Sequence, residues 1–221
     1  ASGDPYASLR TNLLEQWTMN GASGAAETGT ISGYILSNNG TVGTTTGKVN
    51  AARTFGSGNW LSRATGTPFN IYPMTISFWL NTSANNGTLI FHYNGSLNGF
   101  QISLNGSGVI SHYQYTDGTG SNRFDGSFTT PVNTGTWKHI CLVVNASGST
   151  LYINGVQDGS AIAWVGTPQA PSYTGYFAAS ANNLDASILS AMSMDVLKIW
   201  NAALTPAQVL LDYNGGNGVE L

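Results

Sequence analysis

Gly135-Thr136-Trp137-Lys138-His139-Ile140-Cys141-Leu142-Val143-Val144-Asn145, followed shortly by Leu151-Tyr152-Ile153-Asn154-Gly155, is the stretch on which the fold turns. Trp137 to Asn145 is long and apolar enough to be a central strand. Asn154-Gly155 supplies the positive φ angles that a two-residue hairpin requires. The same grammar recurs on either side. Thr75-Ile76-Ser77-Phe78-Trp79-Leu80-Asn81 alternates small polar with large apolar residues, as a half-buried strand does. Thr88 to Tyr93 follows the turn Asn85-Asn86-Gly87, and Phe100-Gln101-Ile102-Ser103-Leu104 alternates cleanly into Asn105-Gly106. Val109 to Tyr115 puts Val109, Ser111, Tyr113 and Tyr115 on one face, and Met192 to Trp200 reads as one more strand. Short strands about every 8–12 residues, parted by Gly, Asn and Pro, are the habit of an antiparallel sandwich.

One helix breaks the pattern. Thr205 fits its N-cap, Pro206 its first turn, Ala207 to Tyr213 its body, and Asn214-Gly215-Gly216 its stop. Ser8 to Leu14 has room for a helical turn. Residues 20–50 and 160–190, rich in Gly, Ser, Thr and Asn, read as long loops with short strands.

Composition narrows the functional classes. Only 8% of the 221 residues are charged, the net charge is -3, and the seven basic residues are scattered from Arg10 to Lys198. Phosphate neutralisation needs clustered Lys and Arg, so the composition argues against nucleic acid as a partner and disfavours a basic membrane-binding patch. At 41% hydrophobic and 11% aromatic, with six Trp, the chain is not disordered. No stretch approaches the ~18 apolar residues of a spanning helix, so membrane insertion is not expected. The lone Cys141 lies within an apolar run, where it reads as a small buried hydrophobe rather than a reactive thiol. The start at Ala1 suggests a processed or excised piece.

Several segments, in order, resemble laminin-G-like jelly-roll domains of the concanavalin A-like lectin/glucanase superfamily. Leu14-Glu15-Gln16-Trp17-Thr18-Met19-Asn20 resembles their first strand, and Gly47-Lys48-Val49-Asn50-Ala51-Ala52-Arg53-Thr54-Phe55 their "GKxGxAxxF" stretch. Asn59-Trp60-Leu61 stands where they carry an aromatic–aliphatic pair. Met74 to Trp79 is similar to "xFTIxxW", Gly135 to Ile140 to "GTWxHV", and Leu151 to Gly155 to "LYVDG". Met194 to Leu204 is similar to the closing "IDEVRIWNRAL", with Asp212-Tyr213-Asn214-Gly215-Gly216 behind it. The resemblance spans residues 14–216 and implies a single domain over 1–221. The implied fold is all-β, an antiparallel β-sandwich of jelly-roll type with one short C-terminal helix. Trp79 and Trp137 are expected in its core.

The same fold houses glucanases, so catalysis needs its own test. Retaining glycosidases hold two carboxylates about 5–5.5 Å apart, and the sandwich-fold glucanases carry a Glu-x-Asp-x-x-Glu run. Here the only Glu residues are Glu15, Glu27 and Glu220, and no two acids lie within four residues of each other. There is no Gly-x-Ser-x-Gly elbow, and His92 and His112 have no further ligand at zinc spacing. No catalytic residue is assigned. Calcium is the metal the resemblance suggests, and Asn20 with Asp195 is the expected pair, because Ca²⁺ takes oxygen ligands. Ordinary turns are the plain alternative for such Asn and Asp residues.

Sugar sites combine an aromatic platform with planar hydrogen-bonding groups. Tyr113, Tyr115, Asp117, Asn122, Arg123 and Asp125 have that composition, and Trp164 and Tyr173 lie in loop-like contexts. Asn-x-Ser/Thr sequons occur at Asn39, Asn81, Asn86, Asn94, Asn105 and Asn145. The expectation is a non-catalytic carbohydrate- or surface-binding module, lectin-like or adhesive, in a larger protein at an extracellular, cell or virion surface. Its partner would be a glycan or glycosylated surface, and a homo-oligomer is compatible. The competing reading is a structural or decoration domain of a virus, phage particle or cell-surface assembly; a glycoside hydrolase comes third.

Overall fold

Alternation between polar and apolar residues in 75–81 becomes the strand Met74–Thr82, the centre of the first of two antiparallel sheets. On one side it pairs with Lys138–Asn145, Ile140 facing Phe78 and Leu142 facing Ile76. On the other it pairs with the closing strand Met192–Trp200, Ile199 facing Ile76. Hydrogen-bonded order in this sheet runs Val156–Gln157, Gly148–Ile153, Lys138–Asn145, Met74–Thr82, Met192–Trp200, Ala51–Phe55, Gly43–Thr46. Leu13–Trp17 also pairs with the closing strand, and Ile162–Ala163 with Gly148–Ile153. The second sheet runs Arg123–Pro131, Val109–Tyr115, Gly99–Leu104, Gly87–Tyr93, Tyr176–Ala179, Trp60–Ala64, Ile35–Asn39, Glu27–Thr28. The computed structural model describes residues 3–56, 58–64, 72–93, 99–115, 123–163, 176–179 and 191–221.

The inner faces of both sheets meet in one apolar core. Trp17, Phe78, Ile140 and Leu142 come from the first sheet, and Leu89, Phe100, Ile102 and Ile110 from the second. Burial of such side chains contributes roughly 1.5–3 kcal/mol each. Polar contacts also join the two sheets: His112 Nδ1 on the second meets Ser149 Oγ on the first at 2.8 Å, and Arg53 of the first lies 3.4 Å from Glu27 of the second.

A second, smaller core lies on the outer face of the first sheet. There Cys141, Val143, Tyr152 and Trp200 meet Leu9 of the short helix Ala7–Arg10, Leu204, and Val209 of the helix Pro206–Tyr213. The C-terminal helix is capped as its sequence predicts. Thr205 Oγ1 accepts from the Gln208 N–H, Gln208 Oε1 accepts from the Thr205 N–H, and Asn214 ends it at φ 52. Its anchor is ionic: Asp212 Oδ1 accepts from Lys198 Nζ at 2.6 Å, and Asp212 Oδ2 lies 2.9 Å from His139 Nε2, with all three residues buried. Against the burial that would raise it, the Lys198 ammonium and the His139 contact hold the Asp212 carboxyl well below the usual range. Burial pushes the Cys141 thiol well up, consistent with an inert packing residue.

Two expectations need correction. Trp79 is buried, but on the outer face beneath the C-terminal helix, stacked on Tyr213 with ring centroids 5.8 Å apart; Trp137 is only half-buried. Both follow from strand parity, since Phe78 and Leu80 take the core side. Among the described residues no helix is long and apolar enough to cross a membrane.

Burial lowers His112 from 6.5 to about 3. Between those values the unfolded chain binds the proton that the folded chain refuses, so this group destabilises the fold as pH drops below about 6.5. The limiting slope is about 1.4 kcal/mol per pH unit. His112→Gln should therefore lose less melting temperature than the parent between pH 6.5 and 4.5. Thermal melts at both pH values check this, and groups titrating in both proteins cancel in the comparison.

Candidate functional site

On the outer face of the second sheet, parity sets a row of polar side chains, of which Ser103 and Ser111 are buried and Gln101 and Tyr113 half-buried. Phe100, Ile102, Ile110, His112 and Gln114 point inward, so Gln101, Ser103, Ser111 and Tyr113 point outward. Ser111 Oγ and Ser127 Oγ are 2.8 Å apart, and Gln101 Nε2 donates to Thr88 Oγ1 at 3.0 Å. Register sets Tyr113 between Gln101 and Asp125, and Tyr115 opposite Arg123. Four expected binding positions, 113, 115, 123 and 125, therefore meet on one strand pair. Tyr113 is half-buried and faces Gln101 across the ladder. The other expected positions, Asp117, Asn122, Trp164 and Tyr173, lie outside the described residues. Trp60, at the far side of the same sheet, is half-buried and faces Asn39 across the ladder.

The expected metal pair sits at one end of the first sheet. Asp195 is fully buried, and its Oδ2 accepts the N–H groups of Lys48 and Val49 at 2.7 and 2.8 Å. Its Oδ1 has no hydrogen-bond partner. Burial, with a further push from the charge of Glu220, lifts the Asp195 carboxyl to about 7 despite those donors. Asn20 lies at the rim of the same turn. Its Oδ1 accepts from the Ala51 N–H at 2.9 Å and its Nδ2 donates to Glu220 Oε1 at 2.8 Å. Sequence reasoning missed Glu220, whose place near the C-terminus gives no local signal. Among the described residues no group of three or more His, Cys, Asp or Glu converges on a metal-sized space.

Every acid whose side chain is described has a partner that holds the fold. Glu15 accepts backbone N–H groups of Gln16, Ile31, Ser32 and Tyr34. Glu27 takes the Gly21 N–H and lies 3.4 Å from Arg53, and Asp158 ties down Thr129 and Thr130. Asp4 pairs with Arg10 at 2.9 Å, Asp212 anchors the helix, and Glu220 binds the Asn20 and Asn50 amides.

A family model described as the concanavalin A-like lectin/glucanases superfamily matches residues 55–210. No curated protein matches the chain. Among solved structures, domain 4 of AbnA, a GH43 extracellular arabinanase from Geobacillus stearothermophilus solved in complex with arabinotriose, is similar at TM-score 0.71 and 20% identity. That likeness covers 90% of this chain and 97% of that one. The binding domain of botulinum neurotoxin DC, solved with rat synaptotagmin II, is similar at TM-score 0.72 and 14% identity, over 92% of this chain and 51% of that one. A structure of botulinum neurotoxin type C, whose cell entry depends on interaction with two ganglioside molecules, gives TM-score 0.72 and 13% identity, over 94% and 52%. The chain thus spans about half the length of the toxin chains it matches, and at these identities the likeness is one of fold.

Gly47 explains why the turn that grips Asp195 begins as it does. A Cβ there would meet Ala51 O at 2.3 Å and Asp195 Oδ2 at 2.6 Å. Gly47→Ala should lower stability by about 1–3 kcal/mol through overpacking, read as a drop in the denaturant midpoint. Gly24→Ala, with nothing within 4 Å of the added carbon but φ +75, should cost only the smaller backbone strain.

Proposed function

This chain belongs to the concanavalin A-like lectin/glucanases superfamily, and from that premise we propose that it is a non-catalytic carbohydrate-binding module. The observation that carries the reading is the second sheet's outer face. There half-buried Tyr113 faces Gln101 across the ladder, with Asp125, Tyr115 and Arg123 at neighbouring register positions. A pyranose or furanose stacks its apolar face on an aromatic ring and hydrogen-bonds its hydroxyls to polar neighbours. The arabinanase domain solved with arabinotriose, which this chain matches over nearly its whole length, supports a sugar ligand. The dependence of type C toxin entry on two ganglioside molecules supports a glycan-bearing surface as partner, and with it an extracellular setting.

Among the described residues each acid is committed to the fold, which supports a module without turnover. Hydrolysis needs a carboxylate pair that substrate can reach, and Asp195, whose carboxyl is lifted into the range of a general acid, is fully buried with one oxygen held by two backbone donors. Its free Oδ1 fits a different task. A hard cation such as Ca²⁺ would be held by Asp195, Glu220 and Asn20, where it would neutralise two acids and fasten the chain end to the 47–50 turn.

Tyr113→Ala should weaken glycan affinity by about 3–10-fold, the worth of one stacking contact, in isothermal titration against the best ligand from a glycan array. Loss of no affinity would remove Tyr113 from the site, and steady release of reducing sugar by the purified chain would overturn the non-catalytic reading. For the cation, millimolar CaCl₂ over EDTA should raise the melting temperature by several degrees in the parent. The rise should be smaller in Glu220→Gln; equal melting with and without calcium in the parent rejects the site.

A further inference from the structure

A groove of about 790 Å³ opens at one end of the first sheet, on the opposite side of the sandwich from Tyr113. Its floor is a row of residues brought level by register across four neighbouring strands. Gly43 faces Thr54, Thr54 faces Ser193, and Ser193 faces Asn81. At an inter-strand spacing of ~4.8 Å the row runs about 14 Å. Phe55 and Met192, one residue along their strands, are in the inter-sheet core, so parity turns Thr54, Ser193 and Asn81 outward. The C-terminal helix covers this face farther along, over Trp200 and Val143, and leaves this end open.

The polar groups of the row are not used by the fold. Among the described residues none of the Thr54, Asn81 and Ser193 side chains has a hydrogen-bond partner, although all three are half-buried. Asn59, on the groove wall, takes the Gly56 N–H on its oxygen at 2.9 Å and keeps its amide nitrogen for another acceptor. Half-buried amides and hydroxyls without partners forgo the ~1 kcal/mol each that a hydrogen bond returns. A ligand rich in hydroxyls, each both donor and acceptor, supplies what they lack.

Charge decides the class of that ligand. The described lining holds neither acid nor base. An anionic sugar would leave its carboxylate in the groove without a cation to pair with, and a desolvated unpaired charge is costly. A protein partner would need an apolar or aromatic pocket for an anchor, and the lining aromatic, Phe55, is 2% exposed.

We propose that this groove is a second carbohydrate contact, selective for uncharged oligosaccharides. The class of ligand rests on the carbohydrate-module reading, but the location does not depend on Tyr113. The test is amide chemical-shift mapping on protein made in bacteria, which leaves the Asn81-Thr82-Ser83 sequon unmodified. Arabinotriose, maltotriose and cellotriose serve as neutral probes and 3′-sialyllactose as the anionic one. At least one neutral trisaccharide should shift Thr54, Asn81 and Ser193 in a saturable way, with 3′-sialyllactose at least fivefold weaker at the same residues. Asn81→Ala and the groove-filling Ser193→Trp should each weaken the shifts at least fivefold, with melting temperatures near the parent's. Shifts confined to Gln101 and Tyr113 overturn the groove and leave the module reading intact. Shifts confined to the groove support it and overturn the Tyr113 placement. Shifts by 3′-sialyllactose as strong as by the neutral sugars overturn the selectivity, and no shifts with any probe overturn both readings.

Discussion

The bulge in the closing strand is the constraint on which the outer face of the first sheet depends. Between Asp195 and Lys198 the strand takes three steps while its partner takes two, since Asp195 faces Trp79 and Lys198 faces Ser77. In a regular strand residues three apart point to opposite faces, and one of these two charges would enter the apolar core. The extra residue turns both outward. The backbone stores strain to do so, because Val196, a β-branched residue, sits at φ 42. Such a conformation costs of order 1–3 kcal/mol. Two anchors offset it: Asp195 holds the 47–50 turn by two backbone N–H groups, and Lys198 holds the C-terminal helix through Asp212.

Those anchors explain why separate stretches of the sequence match one family pattern. Gly47 has no room for a side chain because the Asp195 carboxylate lies against it. Gly218 sits at φ +71, where a Cβ would lie 2.9 Å from the Trp79 indole nitrogen. Lys48 also lies over that indole, its Nζ 5.1 Å from the ring centroid. The chain end, the first long loop and the outward residues of two central strands thus form one unit around Trp79.

Where a signal is local, sequence carried far. The alternation in 75–81 and 100–104, the Asn154-Gly155 turn and the Thr205 cap each act over a few residues, and each appears where it was expected. Strand parity was harder. Trp79 and Phe78 are both large and apolar, and a sheet apolar on both faces gives no period-two cue to say which enters the core. The bulge at Val196 left no mark that distinguishes it from an even strand. The candidate surfaces were partly legible: Tyr113 and Asp125 were read as companions from composition, and register makes them opposite partners. The row Gly43, Thr54, Ser193 and Asn81 was not, because its members come from four strands whose adjacency exists only in the folded register.

The scarcity of charge also acquires a physical meaning. Arg53 is fully buried, bonding the Ala22 and Ala25 carbonyls at 2.5 and 2.7 Å beside Glu27. Lys198 is buried against Asp212, Lys48 lies over Trp79, and Arg63 lies over the Tyr34 ring at 4.4 Å. Most of the few cations are therefore committed to the architecture, and Asn, Ser, Thr and Gln are left to face the solvent. A surface built this way has little long-range field with which to steer or repel a ligand. Any affinity for a sugar would come from hydrogen bonds and ring stacking at contact distance, forces that salt does not screen. That is a workable basis for holding neutral sugars and a poor one for holding phosphates.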